Sequence, residues 1–191
     1  MQTKLASGIV AALVAALFYI VSFPLNTWLS ATMPRHQIIQ LPAMVILGVL
    51  LAMPMHRLQV KDTAWGIALL IYVMASLIFW MLPHSIDYAF VETWFNRLMH
   101  VNMVTVGLFI TAVMRGIRFE VKILFIGMVA SMLMATGVAL RSFNILLCSS
   151  YSIDQQRETG MYVILIGVAV YILTVVTFGR MLRANRLRQT Q

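Results

Sequence analysis

The sequence predicts an all-α polytopic membrane protein, one domain over residues 1–191 forming a bundle of six transmembrane helices. Three observations lead there. Charged residues make up only 10% of the chain and hydrophobic ones 61%, whereas an ordinary soluble domain carries roughly 25% charged residues. The mean hydropathy is +0.90. The apolar residues also gather in runs of about 17–25, the length that crosses a bilayer as a helix.

The six runs are 5–25, 37–54, 64–82, 94–114, 121–147 and 161–181. The first follows Lys4 and lacks a small-residue cleavage site after it, so it reads as a retained helix rather than a signal peptide. The second is short and contains Pro42. A proline is tolerated in a membrane helix where a packed or polar neighbourhood takes up the freed backbone groups. The fifth is long enough to tilt or to project from the bilayer. Between the fifth and sixth, Ser149 to Gly160 reads as a polar loop available for docking.

The net charge of +8 does not imply nucleic-acid binding, because the basic residues lie in short connections and in the tail Arg180, Arg183, Arg186, Arg188. Lys4, Arg57, Lys61, Arg115, Arg118, Lys122 and those tail arginines fall on one side, ten in all, against Arg35, Arg97, Arg141 and Arg157 on the other. The positive-inside rule then makes both termini cytoplasmic. His36, His84 and His100 face outside, and His56 lies inside among ordinary loop residues.

Several chemistries are excluded or disfavoured. The single Cys148 allows no intrachain disulfide or thiolate cluster. There is no Gly-rich phosphate loop, CxxC, CxxCH or HExxH motif, and no Ser/His/Asp arrangement. No inverted repeat or mid-membrane acid pair suggests a coupled transporter. The chain is not expected to be an enzyme.

What remains is the histidines, three of which sit at the same end of three different runs. His36 opens the second run, with Gln40 one turn deeper and Met44 continuing the stripe. His84 follows the third run in Trp80-Met81-Leu82-Pro83-His84-Ser85-Ile86-Asp87, where Asp87 is placed to orient an imidazole or pair with Arg97 or Arg141. His100 lies deeper, by roughly 9 Å of helical rise, and Asn96 and Met103 share its face. A histidine at that depth is costly without a partner. The bland alternative is a hydrogen bond to a neighbouring helix through Asn96, Gln40 or a backbone carbonyl. Imidazole with thioether favours copper, particularly Cu(I). Met33, Met81, Met99, Met103 and Met161 lie toward this end, although most of the 15 methionines must be apolar filler. Cys148 is near the same face and offers either a thiolate or a packed thiol.

These residues resemble the CtaG family of bacterial membrane proteins required for assembling cytochrome c oxidase. The segment His36-Gln37-Ile38-Ile39-Gln40 with Pro42 and Gly48, the segment Trp80-Met81-Leu82-Pro83 with Asp87 and Ala89, and Met99-His100 with Gly107 are similar to that family in order and approximate spacing. The likeness covers residues 36–107. Gln40 stands where the family usually has a second histidine, Met81 where it has a histidine, and Met99 where it has an acid. The likeness therefore keeps a scaffold and thins its titratable groups, as in a variant or remnant of a metal-handling site.

The resemblance implies a multi-pass protein of the bacterial inner membrane that binds subunits of a larger oxidase. It would be an assembly or accessory subunit of a respiratory copper enzyme, holding copper at the outer face. In that reading His36, His100 and Met103 are metal ligands, His84 is an entry ligand, and Gln40, Asp87 and Asn96 support them. Two alternatives stay open: a subunit binding haem b or quinone for electron transfer, and a structural subunit with no cofactor whose arginine tail binds anionic lipid.

Overall fold

The computed structural model describes residues 2–55, 58–143 and 145–189, and every regular element in them is helical. The elements are α1 (Gln2–Ser22), α2 (Asn26–Ser30), a π-helical turn (Arg35–Gln40) running into α3 (Leu41–Ala52), α4 (Thr63–Met81), α5 (Pro83–Val91), α6 (Thr93–Gly116), α7 (Phe119–Ser142) and α8 (Ile153–Gln189). Five helical stretches are long and apolar enough to cross a membrane, and α1 contributes a shorter apolar stretch, Ser7–Ser22. Large side chains such as Leu13, Ile71, Leu124 and Leu173 point outward, as lipid-facing residues must. The chain is an all-α polytopic membrane protein.

Lipid is as apolar as leucine, so helices in a bilayer associate through close packing of small residues rather than through the hydrophobic effect. Here α6 is the hub, packed against α3, α4 and α5. Gly48 and Gly107 let α3 and α6 cross with backbones in contact. A Cβ at Gly48 would run into the Val104 carbonyl, and one at Gly107 into the Val45 carbonyl. The core around this crossing holds Met44, Val73, Met99, Met103 and Val106. Helices α7 and α8 pair along their length and touch the rest at few points. Gly137 and Gly160 set that second crossing, where a Cβ on either would lie 2.7 Å from the other's carbonyl oxygen.

Local sequence explains the element boundaries. Asp62 caps α4, its Oδ1 accepting from the N–H of Ala64 at 2.7 Å and of Trp65 at 3.0 Å. Pro83 opens α5, where its missing N–H does no harm. The π-helical turn lies immediately before Pro42. Proline cannot donate to the carbonyl four residues back, and the ladder widens so that the Leu41 N–H bonds the His36 carbonyl five residues back. At the opposite end of the bundle Arg115 reaches across from α6. Its Nη1 donates to the Ala52 and Met55 carbonyls and its Nη2 to Met53, completing the end of α3.

The structure corrects three boundaries. The fifth run stops as a helix at Ser142, because Phe143 turns extended (φ −82, ψ 121), and Ile145 and Leu146 lie exposed beyond it. The Ser149 to Gly160 segment is mostly helix, since α8 begins at Ile153. Two of its polar residues, Gln156 and Thr159, are buried: the Gln156 Nε2 donates to the Leu140 and Ile145 carbonyls, and its Oε1 accepts from the Leu147 N–H. Helix α5, between the third and fourth runs, has no counterpart among the six expected. His56 lies outside the described residues.

Adding a side chain at the α3–α6 crossing is expected to unfold the bundle. Overpacking costs about 1–3 kcal/mol where neighbours can shift, and backbone carbonyls here cannot. Gly107→Val should sharply lower the melting temperature in detergent. Gly127→Ala, with nothing within 4 Å of the added Cβ, should leave it unchanged. Equal effects of the two would show that this crossing does not hold the fold.

Candidate functional site

The two deeper histidines are both buried at the same end of the bundle. His100, on α6, is fully buried, with Asn96, Met99 and Met103 buried around it on the same helix. Its Nδ1 lies 3.1 Å from Ser22 Oγ, on the last residue of α1. His36, in the π-helical turn, is also buried. Its Nδ1 lies 2.7 Å from Gln40 Oε1, while Gln40 Nε2 donates to Asn26 Oδ1 at 2.8 Å. The break between α1 and α2 at Phe23-Pro24-Leu25 therefore delivers both Ser22 and Asn26 to the histidine end. His36 and His100 are within electrostatic reach of each other.

The bond to Gln40 fixes the tautomer of His36, whereas the Ser22 hydroxyl can donate or accept and is compatible with either tautomer of His100. An amide oxygen only accepts, so the His36 Nδ1 carries the proton and its Nε2 the lone pair. For His100, Ser22 occupies Nδ1, and Nε2 is sealed from solvent with no hydrogen-bond partner. A buried polar atom left so costs about 1–3 kcal/mol and asks for an explanation. The expected stripe of His36, Gln40 and Met44 forms, all three buried. Asn96 shares the buried face of His100, but the hydrogen bond of that ring goes to Ser22. Gln37, beside His36, also has both amide atoms buried without partners.

The third imidazole stands apart. His84 is exposed in the first turn of α5, and no three His, Cys, Asp or Glu side chains cluster for a metal among the described residues. Of the three histidines expected at this end, His36 and His100 are buried and His84 lies on the surface. Pro83 turns the chain into α5 as soon as α4 ends, which carries His84 along the surface instead of inward.

Asp87 serves a different purpose from the one expected. It pairs with neither an imidazole nor Arg97 nor Arg141. Its Oδ2 accepts from Ser149 N at 2.8 Å and Ser149 Oγ at 3.0 Å, and its Oδ1 from Ser150 N at 2.9 Å. Arg97 instead lies over the Phe23 ring, and Arg141 contacts Met161 Sδ at 2.9 Å. Next to Ser150, Tyr151 OH donates to the Ser30 carbonyl at 2.9 Å. The α7–α8 connection is thus pinned to α5 and α2 and closes over the buried Met33, Ile86 and Cys148. Burial, with the nearby Asp87 charge, pushes the Cys148 thiol up to about 12. Of the two readings open for Cys148, thiolate or packed thiol, this favours the packed thiol, a small apolar group.

Ser22, Asn26, Ser149, Ser150 and Tyr151 were absent from the sequence-based site. Ser22 and Asn26 carried a usable signal, being polar residues at the same end of the first run as the histidines. Comparison with protein-family models, curated proteins and solved structures finds no match to this chain.

The Asp87 clasp has a definite pH dependence. Partial burial raises the carboxyl's pKa, but the hydrogen bonds from Ser150 and Ser149 outweigh it and hold the pKa below its usual range. A depressed carboxylate stabilises above its unfolded pKa, about 3.9, and that stability is lost as pH falls through the lower folded value. Amide exchange at Ser149 and Ser150 should be protected near neutrality and lose protection as the pH falls below about 4. Asp87→Asn should speed that exchange about tenfold at neutral pH, a modest figure for a half-exposed carboxylate. Unchanged protection in the variant would show that the clasp contributes nothing.

Proposed function

We propose that this protein is a non-enzymatic assembly or accessory subunit of a respiratory copper enzyme, holding Cu(I) at the histidine end of its bundle. One observation carries the reading: the Nε2 of His100, buried at membrane depth with no partner. With its Nδ1–H donating to Ser22, the ring would present at Nε2 the lone pair that a metal takes, oriented by the bond on its other nitrogen. The Nδ1 of His36 is likewise engaged, by Gln40. Met103, buried on the His100 face, supplies a thioether.

The donor set favours a monovalent soft ion. Imidazole and thioether are neutral, and the side chains bonded to the two rings, Ser22 and Gln40, are neutral too. A divalent ion would leave two uncompensated charges in an apolar bundle, a heavy desolvation penalty, while Cu(I) leaves one. When bound, the ion would supply a transferable soft centre. The chain's own part is to orient two rings, exclude water and keep the carboxylate Asp87 occupied elsewhere. His84, exposed on α5, suits an entry or hand-over position rather than a holding one. The assembly role, the oxidase partners and the bacterial inner membrane rest on the resemblance carried by His36, Pro83 and His100.

A haem b bound between His36 and His100 is the runner-up. It has less support, because the apolar cavity of about 430 Å³ beside the site is lined by Met103 but by neither histidine.

Metal analysis and the visible spectrum of detergent-purified protein test the proposal. About one copper per chain is expected, with no Soret band, lost in His100→Ala or His36→Ala. Ser22→Ala should weaken copper about tenfold, the usual effect of removing a residue that orients a ligand. A Soret band that vanishes in His100→Ala would establish haem instead. Absence of both metal and haem would leave a structural subunit.

A further inference from the structure

We infer that the protein carries a specific site for one zwitterionic phospholipid with a primary ammonium headgroup, phosphatidylethanolamine in type, between α8 and the π-turn–α3 segment. Two concavities meet there. One is a cavity of about 430 Å³ with an almost wholly apolar wall, between α3, α4 and α6 on one side and the α7–α8 pair on the other. It exists because α7 and α8 pack on each other and touch the rest at few points. The second is a groove of about 490 Å³ at the histidine end, where Pro34, Ile38 and Ile39 share the lining with Arg35, Glu158 and Tyr162. Ile38 borders both, so groove and cavity adjoin.

The two walls run in helical register from one to the other. On α8 the stripe Gln155, Glu158, Tyr162, Ile166, Val170 passes from the groove into the cavity at spacings of three and four. On the facing segment, Arg35, Ile38, Pro42 and Val45 do the same. From Tyr162 to Val170 the rise is about 12 Å, close to the roughly 15 Å of one leaflet's hydrocarbon. An apolar cavity adjoining a groove that carries both a cation and a carboxylate matches a lipid.

The charges select the headgroup. The Arg35 guanidinium sits 4.4 Å from the centre of the Trp28 ring, which holds it at the level where Trp marks the membrane interface. It offers donors to a phosphate. Glu158, across the groove, already accepts from Tyr162 OH at 3.3 Å and presents a carboxylate to an ammonium. A choline headgroup has no N–H for that carboxylate, and a glycerol headgroup brings no positive charge. Gln37 lines the cavity next to Ile38, and both its amide atoms lack partners. An ester carbonyl at the junction gives its Nε2 the acceptor it lacks.

The test uses full-length protein purified in mild detergent, with bound lipid extracted and compared with the bulk membrane. Phosphatidylethanolamine should be enriched at about one per chain. Added back to delipidated protein, it should raise the melting temperature more than phosphatidylglycerol or phosphatidylcholine at equal content. Arg35→Ala should weaken retention about tenfold, the loss of one charge-assisted contact. Glu158→Gln should erase the preference for phosphatidylethanolamine while keeping lipid bound. Leu133→Trp, which fills the cavity, should reduce retention of all three. Bound lipid that mirrors the bulk membrane and ignores Arg35→Ala and Glu158→Gln would overturn the proposal, as would a preference for phosphatidylglycerol. Both polar variants lie on the part-exposed rim and decide the matter even if Leu133→Trp fails to fold.

Discussion

The close crossing of α3 and α6 is the constraint on which the rest of the molecule depends. Gly48 and Gly107 remove the two side chains that would hold these backbones apart. Everything at the histidine end is then set by where the helices lead from that crossing. His36, in the turn leading into α3, and His100, on α6, lie on the two sides of that crossing, so their relative placement is set by backbone contact rather than by flexible side chains. Pro42 adds a second fixed element, converting the turn that bears His36 into a π-helix and aligning His36 with Gln40.

Around this rigid centre the polar groups divide into three sets. The histidine pair is served only by short neutral side chains, Ser22, Gln40 and Asn26. The charged Asp87 is drawn off to clasp the α7–α8 connection. Arg35 and Glu158 line the groove that opens toward the lipid. In a bilayer a stray charge is expensive, and this separation keeps the site around His100 dry and uncharged. Such an environment suits a soft ligand better than a hydrated divalent ion.

Much of the fold was legible in the sequence, because bilayer thickness dictates run length and a run of that length has one stable conformation. The five long helices and the apolar stretch of α1 follow from this. The misses occur where hydropathy stops being informative. Ile145 to Leu147 are apolar but follow the α7 break, and Ser149 to Gly160 looked like a loop because Gln156 and Thr159 are polar, although both are buried and bonded within the α7–α8 hairpin. In the site, helical periodicity placed His36, Gln40, Met44, His100 and Met103 on buried faces. It could not show that Ser22 meets His100 across 78 positions, since such a contact arises only from packing. Nor did it show that Pro83 swings His84 out to the surface.

The claim that matters most is that the bare Nε2 of His100 is a ligand, and X-ray absorption at the copper edge of the copper-loaded protein addresses it directly. The expected spectrum is that of Cu(I) with imidazole nitrogen and thioether sulfur neighbours, the sulfur contribution falling in Met103→Leu and the bound ion disappearing in His100→Ala. Copper surrounded by oxygen and nitrogen alone, unaffected by either substitution, would contradict it.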